Sequence, residues 1–175
     1  SMGAVAMPVN ILRPTSFMIT ELQSQGVTVI LVAPEILPSV MEFAERIDGL
    51  RHVVVFDSQV PTDIGETTLQ VHALEALLDG EPATYPWPEL DERTAAAIAH
   101  TSGTTGGAKG VAFTHRSIWL HSMQMCTAEA MAFRSGDTVL TTVPLYHVMS
   151  WGLPFAALMS GAAMISARPR PGAAF

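Results

Sequence analysis

Charge is scarce in this chain. Charged residues make up 14% of its 175 residues and hydrophobic residues 49%, whereas an ordinary soluble domain carries roughly 25% charged residues. So few charges cannot cover a surface generously. Either the core is large, or apolar surface faces something else. The charges present lean acidic: Lys+Arg number 9 against 16 Asp+Glu, a formal net charge of −7 at pH 7. That excludes non-specific binding to nucleic acid. Cysteine is nearly absent. Cys126 stands alone, so no intrachain disulfide can form, and a reducing cytosolic setting fits best.

Other absences narrow the class further. Ser1-Met2 has no charged segment behind it and does not read as a secretion signal; Ser1 reads as an expression remnant. Between Thr138 and Ala167 there is no Asp, Glu, Lys or Arg, a length that could span a bilayer. Pro144, Gly152, Pro154 and Gly161 interrupt it, and His147 sits inside it. A strand, a loop, a buried helix and a second strand fit this stretch better than a membrane span. No internal repeat is present, and the only low-complexity run is the alanines at 95–97.

What is there reads as an α/β chain of about one domain. GAVAMPVN (3–10) reads as a buried strand. A helix runs from Pro14 to Gln25, with Gly26 as the residue that ends it. VTVILVA (27–33) is apolar on both faces and suits a central parallel strand. Pro38 opens a second helix whose stripe is Val40, Phe43, Ala44 and Ile47, and HVVVFD (52–57) is a third strand. This βαβαβ portion, 1–57, predicts a largely parallel sheet flanked by helices. Residues 58–93 are rich in Pro and Gly and hold one short helical pattern, VHALEALLDG; they read as a connecting arm. The portion 94–175 opens with the strand TAAAIAH (94–100), continues in GVAFTH (110–115) and a helix over 116–132, and closes on DTVLTTV (137–143) and AAMIS (162–166).

Between the first two of those last strands lies TSGTTGGAKG (101–110), with four glycines, three threonines, a serine and one lysine. It buries almost nothing. Glycine lets backbone amides turn toward a ligand, hydroxyls donate to oxyanions, and lysine adds a full charge. Together these describe a loop that grips phosphate. It is not a Walker A loop, which needs Ser or Thr directly after the lysine; here Lys109 is followed by Gly110. Strands on both sides make it a hairpin loop. A glycine-rich hairpin with no ligand is the bland alternative, but a hairpin needs neither three threonines nor a terminal lysine.

T-S-G-T-T-G-x-x-K-G-V followed by T-H resembles the phosphate loop of the adenylate-forming superfamily, which holds acyl-CoA synthetases, luciferases and the adenylation domains of peptide synthetases. Ala108 departs from the usual proline, and His100 from a common aromatic. VPLYHVMSWGLPFAALMSGA (143–162) resembles the histidine-containing motif of medium- and long-chain fatty acyl-CoA synthetases, with Met149-Ser150 where Asn-Ala is frequent. The resemblance spans nearly the whole chain and is weakest in the arm at 58–93.

That resemblance implies roles. Thr101, Ser102, Gly103, Thr104, Thr105, Gly106 and Gly107 would wrap the phosphates of ATP; Lys109 would add charge, and Thr101 would help hold Mg²⁺. His147 and Val148 would lie beside the nucleotide and the acyl carboxylate. Trp151 would gate the fatty-acid tunnel and contact the phosphate end of ATP. His147 and Lys109 are the expected catalytic residues. Without the resemblance, Trp151 and His147 would read as core side chains. His115, His121 and His147 have no Cys or carboxylate spacing that supports a metal site.

The implied reaction joins a fatty acid to CoA through acyl-AMP, with ATP, Mg²⁺ and CoA required. The family's adenine segment, Mg²⁺-binding glutamate, ribose aspartate and late catalytic lysine are not in this sequence. The expectation is therefore a fragment of the N-terminal domain, inactive alone, lacking the C-terminal domain and self-associating through apolar surface. The parent would be cytoplasmic or peripheral to a membrane, and a homodimer is open to it. An aryl-CoA ligase, an adenylation domain or a non-catalytic remnant are the alternatives.

Overall fold

β-branched and apolar runs build the first sheet. A computed structural model describes residues 2–101 and 109–166. The chain divides into two compact units, Ile11–Pro86, and Ser1–Asn10 with Trp87–Phe175.

In the unit Ile11–Pro86, α1 (Thr15–Ser24) follows Pro14, whose missing N–H costs nothing at a helix start. Gly26, at φ 62°, ends it. Its N–H donates to the Gln23 carbonyl and that of Val27 to the Leu22 carbonyl, the paired bonds of a left-handed helix stop. β1 (Val29–Val32), β2 (His52–Val55) and β3 (Gln70–Ala73) form a parallel sheet in that order. Val53 stands opposite Ile30 on one side and Val71 on the other. α2 (Leu37–Ala44) is the crossover, preceded by a short 3-10 turn over Pro34–Ile36. Its buried residues, Leu37, Val40, Phe43 and Ala44, join Ile47, Leu50 and the β2 valines in the core.

Two details differ from the sequence reading. VTVILVA is not central: β1 is the edge of the described sheet, with Val29 and Leu31 exposed, and β2 is the strand buried on both sides. Alternation of burial along β1, rather than composition, marks the edge. VHALEALLDG is half strand. Val71–Ala73 belong to β3 and only α3 (Leu74–Leu78) is helical, because pairing with β2 overrides local helix propensity.

The unit containing Trp87–Phe175 holds two small sheets. β4 (Ala95–Thr101) and β5 (Lys109–Thr114) are antiparallel; β6 (Thr138–Thr141) and β7 (Ala163–Ser166) are parallel. α4 (His115–Met125) starts at Thr114, whose hydroxyl accepts from the Ser117 N–H at 3.1 Å. The helix stops seven residues short of the expected end at 132. The Thr127 hydroxyl donates to the Gln124 carbonyl at 2.8 Å, and Ala132 sits at φ 53°, so the backbone has already turned away. GAVAMPVN does not form a full strand. Ala6 alone bridges Ala97, and Pro8 lacks the N–H that would extend the ladder. α5 (Val148–Trp151) and α6 (Leu153–Ser160) carry the chain from β6 to β7, and α6 packs on α4.

Candidate functional site

The hairpin β4–β5 runs in register from Ile98↔Ala112 to Thr101↔Lys109. Buried Ala97 and Ala99 fix one face of β4; Thr101 continues that face by the two-residue period but sits at the strand's end, past the packed part. Thr101 and Lys109 are both exposed there. A hydroxyl and an ammonium thus stand on facing strands where the loop begins and ends. Ser102, Gly103, Thr104, Thr105, Gly106 and Gly107 lie outside the described residues.

The second expected stretch has an unusual backbone. From Val148 to Trp151 every residue is left-handed, at φ 43°, 50°, 55° and 56°, and Gly152 follows at 75°. Left-handed helix costs L-residues about 1–2 kcal/mol each, and a β-branched valine tolerates it poorly. The surroundings must therefore hold the turn. His147 precedes it; its N–H donates to the Pro144 carbonyl, and its own carbonyl accepts from the Ser150 N–H, each at 3.0 Å. Ser150 is fully buried. Its hydroxyl donates to the Val143 carbonyl at 2.8 Å and lies 2.6 Å from the Thr141 hydroxyl at the end of β6. On the other side, His121 of α4 donates from Nε2 to the Trp151 carbonyl at 3.1 Å. A Cβ on Gly152 would lie 2.5 Å from the His121 ring, so position 152 requires glycine twice over, for conformation and for space.

The structure brings α5 against β4, so the turn bearing Val148 and Trp151 lies beside the strand that ends at Thr101. His147 is exposed, as are Val148 at 42% and Trp151 at 55%. None of the three is a core side chain among the described residues. Of the other histidines, His115 has a buried Nε2 without a partner, and His121 holds the turn. No group of three or more His, Cys, Asp or Glu gathers among the described residues. Ser150, Thr141, His121 and Gly152 were not singled out by the sequence reading as site residues. The available signal was slight: Thr141 and Ser150 are two hydroxyls among several in a stretch with no charged residue.

The geometry is a hairpin mouth with a hydroxyl and an ammonium on facing strands, beside a constrained turn. The profile of the family described as AMP-binding enzyme matches residues 1–174. The chain belongs to the AMP-binding enzyme family. Among the relatives of this AMP-binding chain is the 3-methylmercaptopropionyl-CoA ligase of Ruegeria pomeroyi, 47% identical over 87 residues, covering 50% of this chain and 16% of that protein. The long-chain-fatty-acid–CoA ligase of Thermus thermophilus is 36% identical over 144 residues, covering 81% of this chain and 24% of the relative. The chain thus spans about a quarter or less of the length of these two relatives. The red-emitting luciferase of Phrixothrix hirtus shares the fold at a TM-score of 0.81, with 22% identity, 94% of this chain covered and 31% of that one. The α/β architecture is that of adenylate-forming N-terminal domains. No helix among the described residues is long and apolar enough to cross a membrane.

Proposed function

We propose that this chain supplies the phosphate-gripping and acid-gating part of an AMP-forming acid–CoA ligase that acts on medium- or long-chain fatty acids. One observation carries the reading: Thr101 and Lys109 pair across the mouth of the β4–β5 hairpin, next to the turn that holds Trp151. In the first step a carboxylate attacks the α-phosphorus of ATP and pyrophosphate leaves. In the second the CoA thiol attacks the acyl carbon and AMP leaves. The first step brings two anions together, so it gains most from oriented donors and positive charge. Lys109 would neutralise the departing pyrophosphate, with the loop's hydroxyls and amides donating to its oxygens. Thr101 offers an exposed hydroxyl oxygen, a hard donor of the kind Mg²⁺ accepts alongside phosphate and water; the ion, when bound, would offset phosphate charge. His147 and Val148 would line the space where carboxylate and nucleotide meet, and Trp151 would stand at the acid's entrance. The rest of the reaction needs residues beyond these 175, with the 175-residue chain inactive alone. A cytoplasmic setting suits the single cysteine, Cys126.

A second substrate reading has its own support, since the relative that is 47% identical is named for a short thioether acid. Acid-dependent exchange of pyrophosphate into ATP by the full-length protein tests both. The expected result is exchange that rises with fatty-acid chain length into the medium or long range. Fastest exchange with 3-methylmercaptopropionate would select the second reading. No exchange with any carboxylic acid would overturn both.

A further inference from the structure

We propose that His121 and Ser150 are positioning residues that clamp the left-handed turn 148–152 and so set the orientation of Trp151. The role given to Trp151 rests on the ligase reading above; the clamp itself rests on geometry. Four consecutive non-glycine residues at positive φ have no local reason to stay there. Sequence around them supplies one glycine, Gly152, and it follows the strained residues. The constraint must come from the partners.

Ser150 has a single hydroxyl hydrogen. With its Oγ 2.8 Å from the Val143 carbonyl, which only accepts, that hydrogen points to Val143. The Thr141 hydroxyl lies 2.6 Å from the Ser150 hydroxyl and 3.3 Å from the same Val143 carbonyl, so both hydroxyls close on one acceptor. This relay of Thr141, Ser150 and Val143 ties the end of β6, the segment entering the turn and the turn's centre into one unit. Both hydroxyls are buried, so water cannot replace either partner cheaply. At the turn's far end, the His121 ring sits where a Cβ at 152 would be, and Nε2 donates to the Trp151 carbonyl. That bond fixes the peptide plane leaving Trp151, and the relay anchors the side chain of Ser150, the residue before it. With the turn anchored on both sides of Trp151, side-chain torsions are the main freedom left to the indole.

The test uses the full-length protein in a background where every other tryptophan, Trp87 and Trp119 among them, is replaced by Phe, so that emission reports on Trp151. His121→Phe keeps ring bulk and removes the donor; His121→Gln restores an N–H; Ser150→Ala removes the relay. In folded protein, His121→Phe and Ser150→Ala are expected to shift Trp151 emission and acrylamide quenching and to raise the KM for the carboxylic acid about tenfold, the size of one lost hydrogen bond. The KM for ATP should stay within about twofold, a smaller change than that bond is worth, and His121→Gln should return both readouts toward wild type. If one variant fails to fold, the other decides. Unchanged Trp151 emission in a folded variant, equal damage to both KM values, or loss of fold in both variants overturns the clamp. A full-length protein with no acid-dependent exchange would defeat the ligase reading and leave the emission result to judge the clamp alone.

Discussion

Lys109 is the side chain that gives the hairpin mouth its charge. Charge develops on pyrophosphate as the α–β bond breaks, and removing one donor aimed at such charge costs roughly 10²–10³ in rate. Lys109→Ala is therefore expected to slow adenylation by about that factor while barely changing thioester formation from preformed acyl-adenylate, which has already lost pyrophosphate. Rapid-quench measurement of the two half-reactions separates them, and equal damage to both would show that Lys109 serves folding. Thr101 and Lys109 were legible in the sequence because a stretch of small hydroxyls, glycines and one cation has no packing purpose. Ser150, Thr141 and His121 were not. Their partnerships depend on a left-handed backbone that only Gly152 announces, and on α4 and β6 arriving at the same place, which no local pattern encodes.

At the scale of elements, a carboxylate outside any helix or strand ties the long connection before β3. Glu45 Oε1 accepts from the Thr68 N–H at 2.7 Å and from the Thr67 hydroxyl at 2.9 Å. These bonds, the Thr68 N–H first, favour the ionised form and hold its pKa below the ordinary 4.5. A depressed carboxylate stabilises the fold above its unfolded pKa and loses that contribution as pH falls through the folded value. The Thr68 amide should exchange more slowly in wild type than in Glu45→Ala at neutral pH, and the gap should narrow below pH 4.5. A gap that persists in acid would mean the charge is not the anchor. The same connection shows where element reading stops. Gly26 and the stripe of α2 were readable because a left-handed stop and a 3.6-residue period are local. β3 was hidden inside VHALEALLDG, since its strand character comes from pairing with β2 over His52↔Gln70 to Val55↔Ala73. The hairpin at 101–109 was readable from its two flanking strands.

Over the whole molecule, the shortage of charge meets a long roll of exposed apolar side chains. Leu12 and Leu31 are exposed in one unit, and Trp119, Leu158 and Ile165 in the other, Leu158 at 83%. Exposed apolar side chains in such number, with so few charges beside them, favour association. The 175-residue chain is expected to self-associate at micromolar concentration, and light scattering that reports a monomer across a wide concentration range would contradict this. Family membership and fold follow from the whole chain. The chemistry proposed for it reduces to one claim, that a carboxylate oxygen attacks the α-phosphorus of ATP. The full-length protein should be given ATP, Mg²⁺, CoA and a fatty acid labelled with heavy oxygen in its carboxylate, and the nucleotide product weighed by mass spectrometry. The account predicts AMP carrying one heavy oxygen, left behind when CoA takes the acyl group. Unlabelled AMP, or label in inorganic phosphate with ADP as the product, would contradict it.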